Sequence, residues 1–283
     1  MQRETVMIKI TTLIDNQAEP GKGLEAEHGF SCLAEVGTLR VLFDTGTGDS
    51  FIRNARALDA DLSVLDLLVI SHGHYDHAGG VVALLERFSY PALELWTGKG
   101  FEYKKYADDP DGMRFLGFDF DRKFLDSHQV SWHTVCTDTV MVRSGVWLVS
   151  SFARMHPMER ANPRFLVEKP KDGTVTDDFD DEIALVMDSP HGLVMIAGCS
   201  HPGILNMVDS VSARFAKPIH MLIGGIHLYD ASPERRNLVV HGLIERGIPH
   251  LGVSHCTGEA ASEMLRASCP GYFANRAGTV TVI

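Results

Sequence analysis

Long apolar runs are missing from this 283-residue chain. No window approaches the roughly 18 uninterrupted apolar residues of a spanning helix, so no transmembrane segment is expected. Residues 1–15 contain no apolar leader region, and no secretory signal is expected. Cysteine is scarce and odd in number: Cys32, Cys136, Cys199, Cys256 and Cys269, with no CxxC pair. That excludes a disulfide framework and leads us to expect reduced thiols in the cytoplasm. Basic residues are outnumbered, and the net charge is −11. Such a chain is a poor general binder of nucleic acid or anionic membranes, so the expected partner is a small-molecule substrate. Net charge says nothing of oligomeric state. It does not exclude an anionic substrate either, because a local metal can reverse the field in a cleft. No repeat and no Ser/Gly linker is visible, so residues 1–283 are expected to form one domain.

What is present is concentrated in residues 71–80, Ser-His-Gly-His-Tyr-Asp-His-Ala-Gly-Gly. His72, His74, Asp76 and His77 follow the apolar run Leu67-Leu68-Val69-Ile70 and precede a helical pattern. Three imidazoles and a carboxylate this close together suit zinc, iron or manganese, and two ions can share such a cluster. His72 and His74 stand two apart, so in extended chain they project the same way. Asp76 and His77 fall where the chain turns into the helix and can address a second position.

The rest of the chain alternates short apolar runs with helical patterns. Strands are expected at Met7 to Leu13, Phe30 to Glu35, Leu39 to Phe43, Val64 to Ile70, Leu93 to Trp96 and Val140 to Val149. A hairpin is expected from Ile183 to Met187 and Leu193 to Ala197, then strands at Ile219 to Ile223, Leu251 to Ser254 and Gly278 to Ile283. Helices are expected at Ser50 to Ala57, Gly80 to Phe88, Ile204 to Phe215, Pro233 to Glu245 and Glu259 to Ala267. Residues 97–182 read as a loop-rich insertion, and 168–182 as a solvated acidic surface excursion. Strand groups with helices between them imply an α/β layered architecture.

Candidate ligands recur where apolar strands end: Ser71-His72, Gly198-Cys199-Ser200-His201, Gly225-Ile226-His227 and Ser254-His255. A rigid scaffold carrying functional loops places ligands in this way. We therefore expect His201, Cys199 and His255 to complete the cluster, and Asp44 to orient a ligating histidine. Cys199 alone is as readily a small buried hydrophobe. His227 is expected to face substrate rather than metal, and His28 to lie at the cleft rim. His128, His133, His191, His220, His241 and His250 are expected to be surface or structural. His156 is expected to be structural, with a Met-His-Pro loop approaching the site as the alternative. Phe101, Tyr103, Tyr106 and Phe115 either line a substrate pocket or form a local core.

These residues resemble the metallo-β-lactamase superfamily. Its His-x-His-x-Asp-His signature is met in full at His72 to His77, and Asp44-Thr45-Gly46 is similar to its second landmark. A narrower likeness lies in Ala26-Glu27-His28-Gly29-Phe30-Ser31, Gly198-Cys199-Ser200-His201-Pro202-Gly203-Ile204, Ile223-Gly224-Gly225-Ile226-His227-Leu228 and His255-Cys256-Thr257-Gly258. It points to metal-dependent hydrolases related to dihydropterin ribofuranosylaminobenzene phosphate synthases. The resemblance implies a four-layer αββα sandwich with a metal site along one edge of its two sheets. It implies His72, His74 and His201 around one ion, and Asp76, His77 and His255 around another, with Cys199 near the second. One departure stands out: common hydrolytic members carry a Gly-Asp, whose Asp bridges two metals, where this chain has Gly198-Cys199.

The implied activity is hydrolysis of a small ester, lactone, amide or phosphoester, pterin-related among the options. One or two zinc ions are expected, with iron or manganese as alternatives. Asp76 is expected to orient water, and His227 to meet the leaving group or an anionic substrate. Two alternatives stand beside it: a mononuclear non-haem iron dioxygenase, and a metal-retaining binding or regulatory protein. The diiron type within the superfamily usually has Glu where this chain has His74.

Overall fold

The computed structural model describes residues 6–283. Residues 1–5, at the start of the segment expected to be free of a leader, lie outside the described residues. Two seven-stranded sheets stack face to face. The first runs β18 (Val280–Val282), β1 (Ile8–Ile14), β2 (Ser31–Val36), β3 (Leu39–Phe43), β4 (Leu67–Val69), β5 (Glu94–Gly98), β8 (Ser131–Val135). The second runs β17 (Tyr272–Ala274), β16 (His250–Val253), β15 (Ile219–Gly224), β14 (Gly192–Ala197), β13 (Ala184–Ser189), β10 (Val146–Val149), β9 (Thr139–Arg143). A four-stranded sheet, β12 (Gly173–Thr176), β11 (Phe165–Lys169), β6 (Lys104–Asp109), β7 (Gly112–Phe115), is built from the region between β5 and β13.

Three buried clusters separate four layers. Between the sheets, Ile10, Ala34, Val41 and Val69 of the first meet Leu185, Val194, Ile196 and Ile223 of the second. Outside the first sheet, Leu42, Leu68 and Leu95 pack on α1 (Ser50–Ala57) and α3 (Val81–Arg87), with α4 (Arg122–Ser127) beside them through Leu125. Outside the second, Val186, Met195 and Leu222 pack on α5 (Ile204–Phe215), α6 (Pro233–Glu245) and α7 (Glu259–Ser268). Alternate residues of one strand therefore serve two different cores, as the period of two requires. The expected αββα sandwich is what the chain forms. Among the described residues, no helix is long and apolar enough to cross a membrane.

Some local expectations change. The strand expected over Val64 to Ile70 is limited to Leu67–Val69, and Val64 is exposed. Val140 to Val149 is a hairpin rather than one strand, because Gly145 takes φ 77 between β9 and β10. The insertion is not loop-rich throughout: it contributes the whole third sheet, α4 and β8.

Candidate metal centre

In the first sheet the loop-bearing strands β3, β4 and β5 run parallel, as do β14, β15 and β16 in the second. Their C-terminal ends open on one edge of the sandwich, and the candidate residues follow those ends. Beneath the first loop sits Asp44, fully buried just after β3 with φ 57. Its Oδ1 accepts the Ser71 amide at 2.7 Å, and its Oδ2 accepts the Ser71 hydroxyl at 2.8 Å. The same Oδ2 lies 2.7 Å from Nδ1 of His77. Ser71 Oγ is also 2.9 Å from Nδ1 of His72. One carboxylate thus engages the Nδ1 of His77 directly and that of His72 through Ser71, turning both Nε2 atoms inward. Gly198 makes this closeness feasible, since a Cβ there would collide with Ser71 Oγ.

His74 follows in extended backbone, and α2 (Tyr75–Ala78) begins immediately after it. Nε2 of His72 and Nδ1 of His74 stand 3.1 Å apart. His201 joins them from the end of β14, so that ligand atoms of His72, His74 and His201 all lie within 4.8 Å of one another. Two imidazole nitrogens on one tetrahedral zinc are separated by about 3.3 Å, which this spacing approaches. Burial drives all three imidazoles well below their ordinary pKa, keeping them neutral and their lone pairs available. Nε2 of His201 is buried without a hydrogen-bond partner. An orphaned buried nitrogen is costly unless a cation satisfies it, so these residues fit a metal ion.

A second position lies alongside. Oδ2 of Asp76 is 3.1 Å from Nε2 of His255 and 4.0 Å from Nε2 of His77. Cys199 Sγ is 3.1 Å from that same His77 Nε2. His255 is anchored by two neighbours: its amide donates to Asp15 at 2.6 Å, and its Nδ1 is 2.8 Å from Asn16 Oδ1. Burial pushes the Asp76 carboxyl up, but the His77 charge and hydrogen bonds from His255 and His28 hold it well below the usual range. Burial opposes a charge on His77, yet the Asp44 and Asp76 carboxylates lift its imidazole to about 9. His28, expected only at the rim, reaches Asp76 Oδ2 at 3.2 Å, and Cys256 groups with Cys199 and His255. The chain therefore brings His72, His74, Asp76, His77, Cys199, His201 and His255 to one edge.

His227 is present too, with φ 45 and its ring 4.3 Å from that of His201. Burial lowers its pKa to about 4. It lines a cavity of about 230 Å³ over the centre, with His28, Asn16, Phe165 and Tyr229. A larger groove of about 900 Å³ between α1 and α3 has no histidine or cysteine in its lining and offers this chemistry nothing.

The inner wall is where sequence reasoning fell short. Residues 168–182 are solvated through the β11–β12 hairpin, but from Asp177 onward alternate residues turn inward. Phe179 and Asp181 are 1% and 2% exposed, and Glu182 is buried as well. Phe179 stacks on His201 with centroids 3.8 Å apart and planes 7° apart. Glu182 accepts the amides of Ser200 at 2.7 Å and His201 at 3.1 Å. Acidic residues are buried here because distant partners compensate them: Lys105 reaches Asp177 at 2.5 Å and Asp181 at 2.9 Å. The available signal was one Phe inside an acidic run directly before a strand. Phe101 is core, stacked on Phe118, and Tyr106 meets Phe115 edge-on; neither they nor Tyr103 line the cavity. Phe165, Tyr229 and Leu116 do. His156 is structural as expected, bound to Asp209 at 2.7 Å.

The metallo-β-lactamase superfamily model matches residues 25–203, from the turn before β2 to the loop carrying Cys199 and His201. The chain belongs to the metallo-β-lactamase superfamily. A solved structure described as a metal-dependent hydrolase of the β-lactamase superfamily is 31% identical, with TM-score 0.83, covering 97% of this chain and 98% of that one. The 7,8-dihydropterin-6-methyl-4-(β-D-ribofuranosyl)-aminobenzene-5'-phosphate synthase of Methanocaldococcus jannaschii is 28% identical over 91% of this chain and 90% of its own length. The metallo-β-lactamase fold protein YhfI of Bacillus subtilis, at 14% identity and TM-score 0.59, shares the fold.

Proposed function

We propose that this superfamily member is a metal-dependent hydrolase acting on a small-molecule ester, lactone, amide or phosphoester. The observation that carries the reading is the set of buried, neutral imidazoles of His72, His74 and His201, with Nε2 of His201 left unpartnered. These three residues would hold one ion; Asp76, His77 and His255, with Cys199 alongside, would hold a second. Zinc suits the imidazole, carboxylate and thiol donors best. Bound there, the metal supplies Lewis acidity and makes hydroxide available near neutral pH.

The chain's own groups do the rest. The Asp76 carboxylate, kept ionised, accepts a hydrogen bond from water and orients it. Asp44 and Ser71 fix the Nδ1 sides of His77 and His72. Neutral His227 faces the cavity and donates a hydrogen bond to the leaving group. Phe165 and Phe179 exclude water from the imidazole face. The cavity is of small-molecule size, and no nucleic-acid or membrane partner is part of this reading. Five unpaired cysteines favour the cytoplasm. The likeness to the methanogen synthase favours a pterin-related substrate within this class.

The test is to strip metal with chelator, restore zinc, manganese or iron(II) singly, and assay a panel of esters, lactones and phosphoesters. Hydrolysis is expected to disappear and return with metal. Undiminished turnover by the verified metal-free protein would overturn the proposal.

A further inference from the structure

We infer that Arg114 and Arg164 form an anion clamp at the cavity mouth, and that the substrate carries a carboxylate or phosphate group remote from the bond that is cleaved. The inference rests on the hydrolase reading for the word substrate, but not for the binding site itself. Both arginines line the cavity over the metal centre. They arrive from different strands of the third sheet: Arg114 from β7, and Arg164 from the residue before β11. A single carboxylate holds both. Asp109 Oδ2 accepts Arg114 Nε at 2.9 Å, while its Oδ1 accepts Arg164 Nε at 2.7 Å and lies 2.6 Å from Arg164 Nη2.

Two guanidinium charges share one carboxylate, so the Arg114–Asp109–Arg164 group itself carries one net positive charge, in a chain whose total is −11. Each guanidinium carries five N–H donors, and Asp109 engages only part of them. Tyr229 meets Arg164 and Tyr75 meets Arg114, and both tyrosines share the cavity wall with the two forks. A preorganised planar fork matches a carboxylate or phosphate bidentately. The Arg164 guanidinium lies 5.7 Å from the Phe165 ring centre, and that ring lies 5.3 Å from His201. An anion there sits about one aromatic ring away from the proposed reacting centre, so the clamp orients the substrate without entering the chemistry. Asp76, bonded to His255 and His28, and Asp230, bonded to Asn162, keep their charge nearby, so the clamp acts through its fork geometry rather than through the overall field of the mouth.

Binding of benzyl phosphate, phenylacetate and neutral benzyl alcohol to the zinc-loaded protein tests this, read by calorimetry and ligand-detected NMR. At least one anion is expected to bind more tightly than the alcohol, and the tighter one identifies the favoured group. Arg114→Gln/Arg164→Gln is expected to weaken that anion about 10- to 100-fold and leave the alcohol unchanged. Arg114→Lys/Arg164→Lys should fall between, since charge stays and the fork is lost. Unchanged zinc content and circular dichroism verify the fold of each variant. Equal affinity for anion and alcohol, or anion affinity unchanged in the Gln variant, overturns the clamp. Arg-dependent anion binding with no hydrolysis of any ester removes the hydrolase reading and leaves the clamp standing. Hydrolysis with anion-independent KM does the reverse.

Discussion

Lys105 and Asp181 form a buried ion pair 2.9 Å long, and the second oxygen of Asp181 accepts the amide of Gly73 at 2.8 Å. Gly73 is the residue between His72 and His74, so the pair pins the backbone from which both imidazoles project. Gly73 has no room for a side chain, because a Cβ would meet the Phe101 carbonyl oxygen at 2.8 Å. Lys105→Met removes the cation paired with Asp177 and Asp181 and leaves both carboxylates buried. The expected cost is about 3–5 kcal/mol in chemical denaturation. Zinc affinity should also fall, which competition with a chromophoric chelator measures. Unchanged affinity in the folded variant would show that the pair supports the fold alone.

Phe179 lies flat on His201 and fixes the plane of that ring. Phe179→Leu retains most of the buried volume while losing the stack. Its zinc affinity is expected to drop about tenfold, with the loss confined to the ion held by His72, His74 and His201. Equal zinc titration curves for Phe179→Leu and the parent would dismiss an orienting role.

Cys199 touches His77 and not the His74–His201 pair. In Cys199→Ala the second ion should be lost first, lowering the zinc content measured by mass spectrometry from two per chain towards one. Loss of both ions together would merge the two positions into a single site.

Protons also separate the groups at this edge. In metal-free protein, burial holds His255 and His227 at about 4, against an ordinary 6.5. The unfolded chain binds more protons between these values, so their contribution to stability is full above 6.5 and is lost as pH falls towards 4. Glu182 runs the other way: burial raises it from 4.5 to about 7, so its contribution is full below 4.5 and is lost as pH rises through 7. Glu182→Gln should therefore make the stability of the chelated protein rise more steeply between pH 4.5 and 6.5. Urea midpoints across that range measure it, and parallel curves for variant and parent would refute it.

The layers and half of the site were legible in the chain itself. Helices α1, α5 and α6 occur over the residues that their apolar spacing predicts, and Ser232 caps α6 ahead of Pro233. Ligand-bearing loops were legible because each follows a short apolar strand. The third sheet was not. Strand β7 is exposed along its whole length and carries no core-facing alternation, so no period betrays it. Asp177, Asp181 and Glu182 read as solvated because their burial depends on Lys105 and on the amides of Ser200 and His201, all supplied by tertiary packing. His28 lies at the rim, as expected, but its contact with Asp76 was not legible, because one histidine in a loop has no spacing partner. Only the fold brings it to Asp76.

The central claim is that His72, His74 and His201 together hold an ion on which turnover depends. His201→Ala, purified beside the parent and reloaded with zinc, tests it most directly through metal content and hydrolysis measured on the same sample. The account predicts at least one zinc fewer per chain and hydrolysis reduced by three or more orders of magnitude, in a protein whose circular dichroism matches the parent. Full zinc content with undiminished hydrolysis in His201→Ala would contradict it.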